Sequence, residues 1–251
     1  MDVSQERRSA VFLLVILVII IGLVVFILQS LKTDPISETI NRDEVVKMLI
    51  VLNDGEGNAL ATDVLAYYPP SHQGALFNIL GNTGAIYQSL GRVDRIDAIY
   101  KEHGISTYIS EVSKLTGLSI PFYMEISLDG LRLLTDLLGG MKVFVPSPVD
   151  YHSDSGERWL LPSGAVTLDG DKIQTYIQYI LPTETESEQI DRRQTVLIAL
   201  LSLLHDNRSI LLDKKNFPLY AKQMQCGMQE KNLYTLLSYI SELDAENLNP
   251  Q

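Results

Sequence analysis

Apolar and polar positions along this chain fall into two regimes that meet near residue 30. From Val11 to Leu28 every residue is apolar apart from Gly22, and Ala10 extends the run by one. At ~1.5 Å rise per residue, about 20 residues cross the ~30 Å core of a bilayer, so the run predicts a transmembrane helix over 10–30. It exceeds the ~7–15-residue core of a cleaved signal peptide, and QSLKTD follows it without a small-residue cleavage pattern. Arg7 and Arg8 precede the span and only Lys32 lies close behind it. The positive-inside rule then makes 1–9 a cytoplasmic tail and places the rest outside the membrane.

Beyond the span the pattern changes period. TDPISETINRD (33–43) is polar and reads as part of a tether over 31–44, leading to a single domain over 45–245. VVKMLIVL (45–52) is a nearly continuous apolar strand, suited to a sheet covered on both faces. Asn53-Asp54-Gly55 closes it with turn residues. DVLAYY (63–68) and ALFNIL (75–80) follow as strands of a meander. Ile105, Ile109, Val112 and Leu115 then lie on one helical face, with Gly117 placed to end the helix. A strand over 119–127, a helix over 128–138 and a strand over 141–145 come next. Residues 147–161 read as a loop. Helices are predicted over 169–179 and from Glu188 to about His205, with one or two more near 219–224 and 233–243. Strands alternating with covering helices give an α/β fold, a three-layer α-β-α sandwich around a central mixed sheet.

Three motifs narrow the reading: LLTDLLGGMKVFVPSP (133–148), GAVTLDGDKIQTYIQY (164–179) and IDRRQTVLIALLSLL (190–204). Their order and spacing resemble the LytR-CpsA-Psr family of membrane-anchored enzymes. Those enzymes move glycopolymers from a polyprenyl-pyrophosphate carrier onto the cell wall. The resemblance runs from about Met48 to Leu204. It implies a bacterial cytoplasmic-membrane protein, single-pass, with its domain extracytoplasmic. By position it makes Asp54 and Asp63 candidate metal ligands, holding magnesium if the protein is active. Arg193 and Gln194 become candidate substrate-binding residues.

The same alignment exposes departures. Ala61 stands where the family has an arginine before the second aspartate, and NILGNTG (78–84) replaces a Pro-Arg-Asp signature. Gln178 and Ile180 replace an Arg-x-Arg pair, and Ile190 replaces a further arginine, leaving Arg193 from that set. A cation ~4 Å from a phosphate oxygen is worth up to ~4 kcal/mol near a protein surface, and glutamine imitates a bidentate arginine poorly. The resemblance therefore implies a catalytically degenerate protein without catalytic residues. It would bind a polyprenyl-linked envelope precursor or an envelope protein. A divergent active phosphotransferase with a site rebuilt around Asp54, Asp63 and Arg193 is the alternative; a structural envelope scaffold is the second. A retained lipid slot would be lined by 45–52, 122–126 and 196–204.

Charge and cysteine content add little chemistry but exclude some. The net charge of −11 falls wholly on residues 31–251, because the first thirty hold two acids and two bases. Such a surface repels nucleic acid and anionic lipid headgroups. Cys226 is alone, which excludes an intrachain disulfide and leaves it as a small apolar filler. His72, His103, His152 and His205 lack metal-ligand spacing, and the acids of 147–161 read as a solvated loop.

Overall fold

A computed structural model describes residues 17, 18, 20, 21, 35–41, 44–152, 156, 158–180, 184–244 and 248–250. The span expected over 10–30 lies almost entirely outside them. Among the described residues no helix is long and apolar enough to cross a membrane.

In chain order the elements are α1 (Pro35–Asn41), β1 (Val46–Asn53), β2 (Ala59–Tyr68), β3 (Gln73–Asn78), β4 (Gly84–Tyr87) and β5 (Arg92–Arg95). Then come α2 (Ile96–Thr116), β6 (Phe122–Ser127), α3 (Leu128–Leu137), β7 (Met141–Val145), β8 (Val149–His152), β9 (Arg158–Leu161) and β10 (Gly164–Leu168). The last are α4 (Gly170–Gln178), α5 (Glu186–Asp206), α6 (Arg208–Leu211), α7 (Phe217–Ala221), α8 (Glu230–Ile240) and β11 (Leu248–Pro250).

The central sheet has the order β11-β3-β2-β1-β6. The first three strands form the expected antiparallel meander, while β6 runs parallel to β1 and β11 parallel to β3, so the sheet is mixed. The apolar run of β1 is explained by its place in the middle. Met48, Ile50 and Leu52 face a core that includes Leu131 and Leu134 of α3, Val196 and Leu200 of α5, and Leu236 of α8. Leu49 and Val51 face the opposite cluster, with Ile99, Tyr108 and Val112 of α2. Alternate residues thus feed separate cores, and neither face of the strand meets water.

Several elements depart from the sequence reading for identifiable reasons. Helix α2 begins at Ile96, earlier than its periodicity suggests, because Gly104 at φ 72° breaks the phase between its halves. Residues 147–161 contain a ribbon, β8 paired with β9, rather than a loop throughout; Asp150 and Arg158 bridge it at 2.5 Å. These strands are too short and polar to show alternation. Strand β10 pairs with β7, and β4 with β5, outside the central sheet. Helix α5 starts two residues early through a capping box. Thr185 Oγ1 accepts from the Glu188 amide, and Glu188 accepts from the Thr185 amide at 2.7 Å. Within the expected tether, α1 is ordered helix and its Ile36 is fully buried in the larger core. At the other end, Leu248 of β11 packs beside the same core.

Helices α3 and α4 approach closely enough to require glycine. A Cβ at Gly170 would lie 2.2 Å from the Arg132 carbonyl oxygen, and the Gly170 amide donates to Asp136 at 2.8 Å. This contact fixes the LLGG and LDG motifs against each other.

Candidate functional site

The two aspartates singled out in the sequence have different surroundings. Asp54 sits in the β1–β2 turn, where its carboxylate accepts from the amides of Glu56 (2.8 Å) and Asn58 (3.0 Å) and from the Asn58 side chain (2.5 Å). Slight burial acts upward on its pKa, but these donors outweigh it and hold the group below the ordinary carboxylate value. Such a carboxylate is engaged in shaping a turn.

Asp63 lies in β2, opposite Ile50 of β1 and Asn78 of β3, and is fully buried. Asp54 is four residues beyond Ile50, about 13 Å along β1 at ~3.3 Å per residue, so the two aspartates stand at different levels of the strand pair. Among the described residues no group of three His, Cys, Asp or Glu side chains is placed to hold a metal. With Asp54 engaged in its own turn and Asp63 buried, the donor set does not fit the ion.

The groups hydrogen-bonded to Asp63 are neutral amides. Its Oδ1 accepts from Gln194 Nε2 of α5 at 3.2 Å and from Asn78 Nδ2 at 3.4 Å, while its Oδ2 is buried without a partner. Burial pushes its pKa up to about 7, against the weaker pull of these two amides. Arg193, one residue from Gln194, turns its guanidinium to the Leu60 carbonyl at 3.0 Å. Burial lowers its pKa, and Arg192 acts in the same direction. The two predicted substrate-binding residues thus reach the same strand, β2, but as supports of its backbone and of Asp63. Asn78 completes the cluster. Sequence reading passed over it, although an asparagine inside the apolar run ALFNIL was the available signal.

Beside Arg193 and Asn78 lies a cavity of about 30 Å3, room for a water or two. Ala61, Thr62, Ile190 and Arg193 line it, with Asn78, Ile79 and Leu80 at and just beyond the end of β3 and Asp97 and Tyr108 of α2. The fold thereby gathers into one wall several positions where the resemblance expects cations: Ala61, Ile190 and the segment that replaces Pro-Arg-Asp. Gln178 and Ile180 lie on the surface instead. Arg192, the nearest spare cation in sequence, faces elsewhere. It donates to Glu184 at 2.8 Å and to the Tyr176 carbonyl at 2.6 Å, both side chains of the ion pair being almost wholly buried. Arg95 is held by Asp97, and Arg92 by Asp94 and Glu102.

The LytR_cpsA_psr family model matches residues 72–250. The chain belongs to the LytR-CpsA-Psr family. Among curated relatives it is similar to the cell wall biosynthesis protein LcpA of Corynebacterium glutamicum, 28% identical over 60% of this chain and 27% of that one. It is also similar to TagU of Bacillus cereus, named a polyisoprenyl-teichoic acid–peptidoglycan teichoic acid transferase. There the identity is 23%, over 57% of this chain and 48% of the relative. The matches thus span about a quarter and about half of those relatives' lengths. Among solved structures, TagV of Bacillus subtilis superposes with a TM-score of 0.68 at 17% identity, covering 83% of this chain and 84% of TagV. The mixed-sheet α/β architecture is therefore that of LytR-CpsA-Psr domains, a family of cell-wall glycopolymer transferases.

Proposed function

We propose that this family member is an envelope protein, anchored in the cytoplasmic membrane through residues 10–30, whose outer domain serves as a binding module without pyrophosphate chemistry. One observation carries the reading. The cavity beside Arg193 measures about 30 Å3; Arg193 is the one cation among its lining residues, Asp97 adds a carboxylate, and Ala61 and Ile190 stand where the family's arginines are expected. Small-molecule sites usually enclose ~300–1,000 Å3. The lone guanidinium there is bonded to a backbone carbonyl, and burial pushes the Asp63 carboxyl up to about 7, so that it is only partly ionised near neutrality. Stabilising a departing diphosphate needs several donors aimed at the developing charge, a requirement one engaged arginine does not meet.

Of the two binding readings, a protein partner is the better supported. The runs expected to line a lipid slot, 45–52, 122–126 and 196–204, supply mostly buried core residues. The full-length chain in detergent, given a polyprenyl-pyrophosphate-linked glycan, magnesium and a glycan acceptor, should transfer nothing above a protein-free control. The same preparation should retain no polyprenyl phosphate in native mass spectrometry. Transfer that disappears in Arg193→Ala would establish the active-enzyme alternative.

A further inference from the structure

We infer that the cleft between α5 and the turn after β7 is a docking site for a lysine-bearing peptide segment of a partner protein. The cleft has a volume of about 560 Å3, well above that of the cavity beside Arg193 and within the range of ligand sites. Its position and chemistry are independent of whether the Arg193 cavity is catalytic, so the inference goes beyond the binding role proposed above.

Three features of the cleft converge on that occupant. Its base is rigid: Arg192 is bonded to Glu184 and to the Tyr176 carbonyl, and its guanidinium lies 5.4 Å from the centre of the Tyr176 ring. Its wall is apolar, made of Pro146, Val149 and Phe144, and Phe144 is left 62% exposed on a short strand. A large aromatic held that far into solvent beside a concavity is surface available for burial. Its rim is anionic. Glu188 and Asp191, one turn apart on α5, line the cleft, and among the described residues neither has an ion-pair partner. Because Glu184 is neutralised by Arg192, these two leave the cleft with two negative charges. The bland account, that acids near a helix N-terminus merely answer its dipole, covers Glu188 but not the aromatic wall or the cleft.

A lysine side chain fits this arrangement. Its methylenes can lie along Phe144 and Pro146 while its ammonium reaches the rim carboxylates. Apolar residues on either side of the lysine would cover the rest of the exposed aromatic. An acidic or purely polar segment would meet repulsion at the rim and leave the wall wet.

The test uses the full-length chain and a fluorescein-labelled heptapeptide with a central lysine flanked by leucines, followed by anisotropy. Saturable binding is expected, weakening severalfold between 50 and 300 mM NaCl as rim charges are screened. The double variant Glu188→Gln/Asp191→Asn should bind about 5–10-fold more weakly. Glutamine at 188 keeps the helix cap, and an unchanged melting temperature checks the fold. Phe144→Ser should weaken binding without altering its salt dependence. No saturation up to 1 mM peptide, equal binding of a peptide with glutamine in place of lysine, or undiminished binding by the folded double variant would each overturn the inference.

Discussion

Asp63 shows how much of a site can be seen in a sequence and how much is hidden. Its place at the start of an apolar strand, matched to a family aspartate, singled it out; its protonation state depends on neighbours from β3 and α5 that are distant in sequence. Asn78 and Gln194 offer it neutral donors, and its second oxygen is buried without a hydrogen-bond partner. With a folded pKa of about 7 against ~3.9 in an unfolded chain, the native state keeps a proton that the unfolded state releases. Stability from this group is therefore fully present below pH ~4, is lost as pH rises toward 7, and is level above. Between pH 5 and 8 the loss amounts to roughly 3 kcal/mol. Asp63→Asn should remove it. Urea denaturation at the two pH values should show the variant gaining about that much relative to wild type; parallel pH curves would mean that the carboxyl ionises freely in the fold.

At the scale of elements, local signals were legible wherever a strand or helix had one buried stripe or two buried faces. They failed for β4, β5, β8 and β9, whose exposed residues include Ile86 and Val93, because a two-stranded ribbon outside the core leaves no periodic mark, and they missed β10, whose five residues are too few to show its alternation. The tight join of α3 to α4 was legible only as two glycine-bearing motifs. Their meaning appears in the contact at Gly170, where a methyl group would overlap the Arg132 carbonyl. Gly170→Ala should cost about 2 kcal/mol or more by overpacking, even though alanine is the better helix former. Chemical denaturation measures this directly, and a neutral or stabilising result would show that the two helices separate easily.

For the whole molecule, the class of fold was readable from the alternation of elements and the family from motifs that resemble it, whereas the limits of the folded unit were not. Residues 33–43 look like linker by composition, yet Ile36 is fully buried against the larger core and α1 packs on α8. One isoleucine among polar neighbours gives no periodicity to read. A chain starting at residue 44 should be less stable than one starting at residue 34 by about 1.5–3 kcal/mol, the worth of one buried aliphatic side chain. Thermal melting of the two would show this, and equal melting points would return α1 to the status of linker.

The seating of Ile36 also governs how load enters the domain. With α1 docked, slack between the N-terminal segment and the β-sheet ends at Pro35, and a pull from that side falls first on a seven-residue helix. That helix can peel away while β1, hydrogen-bonded on both edges, stays in place. Under tension the chain would therefore lengthen by about one short helix before any strand is sheared, a built-in fuse between whatever holds its beginning and the rest of the fold.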